Sequence, residues 1–142
     1  MTNRIGIIDD NKVFRKISKL LILKSGFVEE GDMLFFENGK EAFDFIFENI
    51  NNEPILPKTI FLDLNMPIMG GWEFLKHFRA IKKDHTYDPN IYILTSSVDI
   101  RDFDKAKSIK EVKGYLAKPI SADDFFKILQ NNGYSKYTNI YL

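Results

Sequence analysis

The 142-residue chain contains no cysteine. Disulfide staples and thiolate metal sites are therefore excluded, and stability must come from a packed core. No charge sign dominates either: 20 basic residues balance 20 acidic ones. That balance argues against a nucleic-acid module, which presents a strongly basic face. No apolar run approaches the roughly 18 residues of a membrane span. The start, Met1-Thr2-Asn3-Arg4, leads directly into a short apolar stretch ending on two aspartates; a signal peptide needs a longer apolar region and a small-residue cleavage site. These absences predict a soluble, cytoplasmic protein with no direct nucleic-acid or membrane contact. What is present is an ordinary globular composition, 44% hydrophobic with 13 phenylalanines, enough for one domain with an aromatic-rich core.

Four short apolar segments read as buried strands: Ile5 to Ile8, Thr59 to Leu62, Ile91 to Leu94 and Lys113 to Leu116. Parallel strands covered on both faces have this near-continuous apolar character. A fifth strand is expected within Val28 to Phe36. Helical spacing marks the stretches between them. Val13, Ile17, Leu20 and Leu21 form one stripe, with Gly26 as its stop. Ala42, Phe43, Ile46 and Phe47 form a second. Phe74, Leu75, Phe78 and Ile81 form a third, opened by Gly70-Gly71. Phe103, Ala106, Lys107 and Ile109 suggest a fourth. Phe125, Phe126, Ile128 and Leu129 form the last, with Ser121 as N-cap and Asp123-Asp124 in its first turn. The alternation is (βα) five times, an α/β doubly wound parallel sheet with right-handed crossovers. Residues 49–58 and 84–89 read as long loops, and 133–142 as a polar tail.

Ligands of open parallel sheets bind beyond the carboxyl ends of the strands. Asp9 and Asp10 follow the first strand, Asp63 follows the third, Thr95-Ser96-Ser97 the fourth, and Lys118-Pro119 the fifth. Three carboxylates, a hydroxyl and an ammonium thus meet at one edge. Crowded carboxylates repel and drive one another toward protonation, and a divalent cation resolves the conflict. Mg²⁺ takes hard oxygen ligands, commonly one or two carboxylates plus a phosphate; no Cys or nearby His favours zinc. A carboxylate also serves as a covalent nucleophile toward phosphorus. Taken singly, each motif has a plainer reading. Asp9-Asp10 and Thr95-Ser96-Ser97 would serve as helix caps, Asp63 to Pro67 as a turn, and Lys118 as an exposed lysine.

Together, Ile7-Ile8-Asp9-Asp10-Asn11, the run from Phe61 to Gly71, Ile93-Leu94-Thr95-Ser96-Ser97 and Gly114-Tyr115-Leu116-Ala117-Lys118-Pro119 resemble a response-regulator receiver domain over about residues 3–132. The resemblance implies a flavodoxin-like fold with strand order 2-1-3-4-5, an order that general knowledge of such sheets supplies. It implies Asp63 as phosphoacceptor and Asp10 as direct metal ligand, with Asp9 as its partner and the Asn65 backbone carbonyl completing the Mg²⁺ shell. It implies Thr95 and Lys118 as the phosphate-sensing pair and Tyr115 as the switch aromatic. The expected donor is a sensor histidine kinase or histidine phosphotransfer protein. The expected output is binding to an unnamed downstream protein, by a monomer or a phosphorylation-dependent dimer. Residues 1–132 would form the receiver and 133–142 a short tail with no output domain.

Two departures stand out: Gly70 where the family often has Asp, Asn or Ser, and Ser96 where Ala or Gly is common. Asn65 and Ser97 occupy the positions that tune acyl-phosphate lifetime. Phe14 and Ile22 are candidate kinase contacts, Ile22 because it falls off the apolar stripe. A haloacid-dehalogenase-type phosphatase would carry its nucleophilic Asp on the first strand, with another Asp two residues later; here Asn65 holds that second place. A pseudo-receiver, binding partners without phosphorylation, would not need the complete set.

Overall fold

The computed structural model describes residues 3–134. Five strands, β1 (Ile5–Ile8), β2 (Met33–Phe36), β3 (Thr59–Leu62), β4 (Asn90–Thr95) and β5 (Val112–Ala117), alternate with five helices, α1 (Lys12–Lys24), α2 (Gly39–Glu48), α3 (Gly71–Lys82), α4 (Ile100–Lys107) and α5 (Ala122–Asn131). Every strand pair is parallel, and the order is β2-β1-β3-β4-β5. This is the α/β flavodoxin-like sheet expected from the sequence. Short 3-10 turns, Glu30–Asp32 and Glu53–Ile55, tighten the approaches to β2 and β3. The second of them structures the long loop 49–58.

Side chains alternate between the two sheet faces, as period-2 strands require. Ile5, Ile7, Phe61 and Leu94 pack with Ile22 of α1 and Phe125 and Leu129 of α5. Ile8, Ile60, Leu62, Ile91 and Ile93 pack with Ala42 and Ile46 of α2, Phe74 and Phe78 of α3 and Ala106 of α4. The helices start where short polar side chains satisfy free amides. Asn11 accepts from Phe14 N, Asn38 from Glu41 N and Asp99 from Arg101 N. Ser121 forms the expected cap, in a reciprocal pair with Asp124. Because Asn11 is the cap of α1, Asp9 and Asp10 are not.

The first helix corrects the sequence reading. Val13, Ile17 and Leu20 are 65%, 50% and 60% exposed, whereas Ile22 is fully buried. Three of the four stripe residues, Val13, Ile17 and Leu20, face outward, and only Leu21 turns to the core. The face against the sheet carries Phe14, Ser18, Leu21 and Ile22. Ser18 is small and polar and lowers that face's hydrophobic signal, so periodicity alone chose the wrong side. Ile22 is therefore core and not a partner contact. Replacing Ile22 by valine is expected to cost about 1 kcal/mol, while Ile17→Ser stays within about 0.5 kcal/mol of the native protein; urea denaturation of both variants checks the assignment.

Three smaller differences have local causes. Ile109 lies beyond α4, yet is buried, because the chain folds back onto the core before entering β5. Phe47 and Phe103 are 57% and 39% exposed, since each finds a partner ring on its own side, Phe43 and Tyr115 respectively. Residues 135–142 of the expected tail lie outside the described residues. Tyr134, at the tail's start, is buried against the sheet: it is 3% exposed, its hydroxyl sits 3.0 Å from Thr59 Oγ1, and Lys58 Nζ lies over its ring.

Candidate functional site

Strand register decides which residues meet at the carboxyl edge. Ile8 pairs with Leu62, so Asp9 and Asp63 emerge side by side. Leu62 pairs with Ile93 and Thr95 with Ala117, which brings Thr95 and Lys118 to the same edge. Backbone bonds continue beyond the strands and hold these positions: Asp9 N to Phe36 O at 3.0 Å, Asp63 N to Ile8 O at 2.9 Å and Lys118 N to Thr95 O at 2.8 Å.

Asp9, Asp10 and Asp63 each offer a carboxylate oxygen within 4.8 Å of the others. Asp9 and Asp63 are 1% and 7% exposed, Asp10 is open to solvent, and Thr95 is fully buried. Lys118 Nζ lies 2.5 Å from Asp9 Oδ2 and 3.7 Å from Asp63 Oδ1. One Asp9 oxygen accepts from Asn11 N at 2.8 Å, and Asp63 Oδ1 accepts from its neighbour Leu64 N at 2.9 Å. Burial first, and then the charge of Asp9, push the Asp63 carboxyl up to about 6 from 3.8, against the pull of Lys118 and the Leu64 amide. A single ammonium does not neutralise three carboxylates. The set is hard oxygen throughout, partly buried and short of positive charge, and so fits a Mg²⁺ ion with waters in its remaining positions. Asn65 lies exposed in the loop two residues after Asp63, and among the described residues no backbone amide donates to its carbonyl.

Close packing shapes the loop that follows Asp63. A β-carbon on Gly71 would lie 2.4 Å from the Asp63 carbonyl oxygen, so only glycine lets α3 start directly under the acid. Gly71 N also donates to Leu64 O at 2.9 Å, and Gly39 N to Met69 O at 2.8 Å. Ile68 sits in the same loop at φ 69°, 76% exposed. A β-branched residue in the left-handed region is strained. Ile68→Asn, which tolerates that conformation and gives up no burial, is expected to stabilise the protein by about 1 kcal/mol, read as a higher denaturation midpoint at unchanged slope.

Sequence reasoning missed two supports. Phe14 sets its ring 4.2 Å beneath the Lys118 ammonium, so it belongs to the site's wall. Its signal was position, the first turn of the helix that leaves the paired acids. The second is a polar chain toward α4. Thr95 Oγ1 accepts from Ser97 N at 3.0 Å, Ser97 Oγ donates to Asp102 at 2.9 Å, and the Trp72 indole donates to the other Asp102 oxygen at 3.2 Å. Ser97 also accepts from Asp99 N at 3.2 Å, a turn that precedes the helix; the cap of α4 is Asp99 and not the Thr95-Ser96-Ser97 cluster. Tyr115 packs edge-on against Phe103, and its hydroxyl is buried without a well-aligned partner. His77 is exposed and His85 half-exposed, and neither joins the site.

Known proteins share this arrangement. The chain is 31% identical over 118 residues to a chemotaxis protein CheY homologue of Campylobacter jejuni, a match covering 83% of this chain and 82% of that protein. It is 30% identical over 135 residues to hybrid signal transduction histidine kinase I of Dictyostelium discoideum, covering 94% of this chain but only 7% of that much longer protein. A two-component response regulator from Cytophaga hutchinsonii superposes with a TM-score of 0.73 at 27% identity, over 90% of this chain and 96% of that one. Among the described residues no helix is long and apolar enough to cross a membrane. The sequence profile of the response regulator receiver domain matches residues 5–130, which span all five strands and both core layers, and the chain belongs to that family.

Proposed function

We propose that the protein is a stand-alone response regulator in which Asp63 is the phosphoacceptor. The observation that carries this reading is the pairing of a raised Asp63 carboxyl with two further acids and Lys118 at one sheet edge. An oxygen of Asp63 attacks the phosphorus of a phosphohistidine in line; the new O–P bond forms as the P–N bond to the donor breaks, and the imidazole leaves with the electron pair. Asp10, Asp9, Asp63 and the Asn65 carbonyl would hold Mg²⁺, which supplies charge neutralisation for the phosphoryl oxygens. Lys118 moves from the carboxylates to the transferred group, and Thr95 turns its hydroxyl toward it. The protein assists its own phosphotransfer and dephosphorylation and is otherwise not an enzyme.

Receiver domains work with histidine kinases or phosphotransfer proteins. The exposed Val13, Ile17 and Leu20 beside the site support α1 as the donor's docking face, in place of Ile22. Output passes to a downstream protein, or to a second copy, through Val98, Ile100 and Phe103 around Tyr115, all exposed apolar side chains near α4. The match to the Campylobacter homologue, over 82% of that protein, supports a receiver that acts by binding; we place that receiver at residues 1–132 and in the cytoplasm.

Turning Thr95 toward a phosphoryl group breaks its bond from Ser97 N, and Ser97 in turn holds Asp102 and Trp72. Trp72 is the sole tryptophan. Beryllofluoride, a phosphoryl mimic, is therefore expected to change its emission when Mg²⁺ is present and to leave it unchanged without Mg²⁺. Emission indifferent to beryllofluoride in the presence of Mg²⁺ contradicts the switch.

A further inference from the structure

At the opposite end of the sheet from the acids, a cavity of about 610 Å³ opens between the end of α3 and the approach to β5. Its lining is nearly all charged: Lys76, Arg79, Lys82, Lys83 and Lys110, with Glu111 as the one carboxylate. Five cations face one lining anion, and Asp88 pairs with one of the five, which leaves a local excess of three positive charges in a chain whose basic and acidic residues number 20 each.

Glu111 gives this cluster its build. The residue is 5% exposed, and its carboxylate lies 3.0 Å from Arg79 Nε and 3.6 Å from Lys82 Nζ. It thus pairs electrostatically with two α3 side chains, and among the described residues the terminal guanidinium nitrogens of Arg79 make no ion pair. Lys82 also meets Asp88 at 3.1 Å. Lys76, Lys83 and Lys110 have no carboxylate within ion-pair distance among the described residues. The macrodipole of α3 favours cations in its last turn, which accounts for Arg79 and Lys82. It accounts neither for Lys76, earlier on the helix, nor for Lys110, on a different segment. Like charges that line one cavity repel, and a bound anion would relieve that repulsion.

We propose that this cavity binds an oligophosphate, either free or as the tail of a nucleotide. The volume falls in the range of small-ligand sites. The lining lacks the apolar surface that anchors an uncharged ligand, and Arg and Lys together are the usual phosphate grip. An adjoining cavity of about 400 Å³ shares Lys76 and Arg79 and is lined further by Trp72, Glu73, Leu75, Lys105 and Ile109. Lys105 Nζ lies 4.7 Å over the Trp72 ring, so a nucleobase there would have to displace it, which makes the free oligophosphate the simpler occupant. The cations of the larger cavity lie apart from Asp63 and the metal site, whereas Trp72 of the adjoining cavity also joins the chain of Asp102, Ser97 and Thr95, so titrations are run without a phosphoryl donor.

Isothermal titration of the whole protein with sodium tripolyphosphate and with ATP, in EDTA and at low salt, tests it. Saturable one-to-one binding is expected, weakened at least tenfold in the Lys83→Glu/Lys110→Glu double variant. A Lys24→Glu/Lys127→Glu variant carries the same change in net charge at exposed positions elsewhere and should bind within twofold of the native protein. ATP binding several-fold tighter than tripolyphosphate, with a change in Trp72 emission, identifies a nucleotide tail; equal affinities identify the free oligophosphate. Absence of saturable binding overturns the proposal, and so does equal weakening in the two double variants, which marks general charge attraction. All four substituted lysines are exposed, and acetyl-phosphate labelling of Asp63 in each variant verifies that the fold is intact.

Discussion

Asp63→Asn is expected to stabilise the metal-free protein at pH 7 by about 1–2 kcal/mol while removing its capacity to take up a phosphoryl group. Folding buries the Asp63 carboxyl beside Asp9 and raises it from 3.8 to about 6. A displacement of that size corresponds to about 3 kcal/mol between ionised and neutral forms, and the water that reaches the pocket through Asp10 reduces what the fold loses. The sign follows from proton linkage. Between about pH 4 and pH 6 the folded chain binds more of this proton than the unfolded chain, so Asp63 makes native stability fall as pH rises through that window. Asparagine lacks the slope. The variant's advantage should approach its full size above pH 6 and shrink as pH falls toward 3.8, below which the native carboxyl becomes neutral in both states. Mg²⁺ should reverse the ranking, because a ligand at a hundred times its Kd stabilises the folded form by about 2.7 kcal/mol and the variant has lost one carboxylate of the set. Paired urea titrations at pH 4, 5.5 and 7, with and without Mg²⁺, measure all of this. A variant less stable than the native protein at pH 7 without metal would contradict the electrostatic account.

Lys118→Met should have the opposite effect. The ammonium lies 2.5 Å from Asp9 and 3.7 Å from Asp63, and its side chain is 18% exposed. Methionine keeps the apolar stem against Phe14 but leaves two buried carboxylates facing each other. Removing one partner of a buried pair costs several kcal/mol; with this much solvent contact the expected loss is about 2–3 kcal/mol at pH 7. Without Lys118 the Asp63 carboxyl titrates higher still, so the loss should shrink as pH falls toward 5 and Asp63 takes up its proton. Labelling by acetyl phosphate should slow at least tenfold, because the positioned charge that grips the transferred group is gone. A Lys118→Met protein as stable as the native one at pH 7, with unchanged labelling, would show that Asp9 and Asp63 do not depend on this lysine.

The sequence made the strand ends easy to read and the helix faces harder. Short apolar runs covered on both sides, such as Ile5–Ile8 and Thr59–Leu62, have few alternative readings, and each is followed directly by a polar residue at the ligand-binding edge. Asp9, Asp63, Thr95 and Lys118 were therefore legible from position alone, although the register that brings them together is a property of the folded sheet. Strand order came from likeness to known sheets, because periodicity does not say which strands are neighbours. On α1 the periodic signal pointed the wrong way: the outward stripe of Val13, Ile17 and Leu20 is more apolar than the inward face that includes Ser18. Hydrophobic spacing reveals that a helix has faces, but a partner-binding surface and a core surface look alike in it. The bonds joining Ser97, Asp102 and Trp72 were invisible because they link residues far apart in the chain. The cations around Glu111 were hidden in the same way, dispersed over α3 and the loop before β5.

If this sheet edge serves to place a phosphoryl group on Asp63, the protein must take up that group covalently. The most direct measurement of that uptake is intact and peptide mass spectrometry after incubation with acetyl phosphate and Mg²⁺. One phosphoryl adduct is expected, mapped to the peptide carrying Asp63, absent from Asp63→Asn and absent when EDTA replaces Mg²⁺. An adduct that persists in Asp63→Asn, or a native protein that stays unlabelled with Mg²⁺ present, would contradict that role of Asp63.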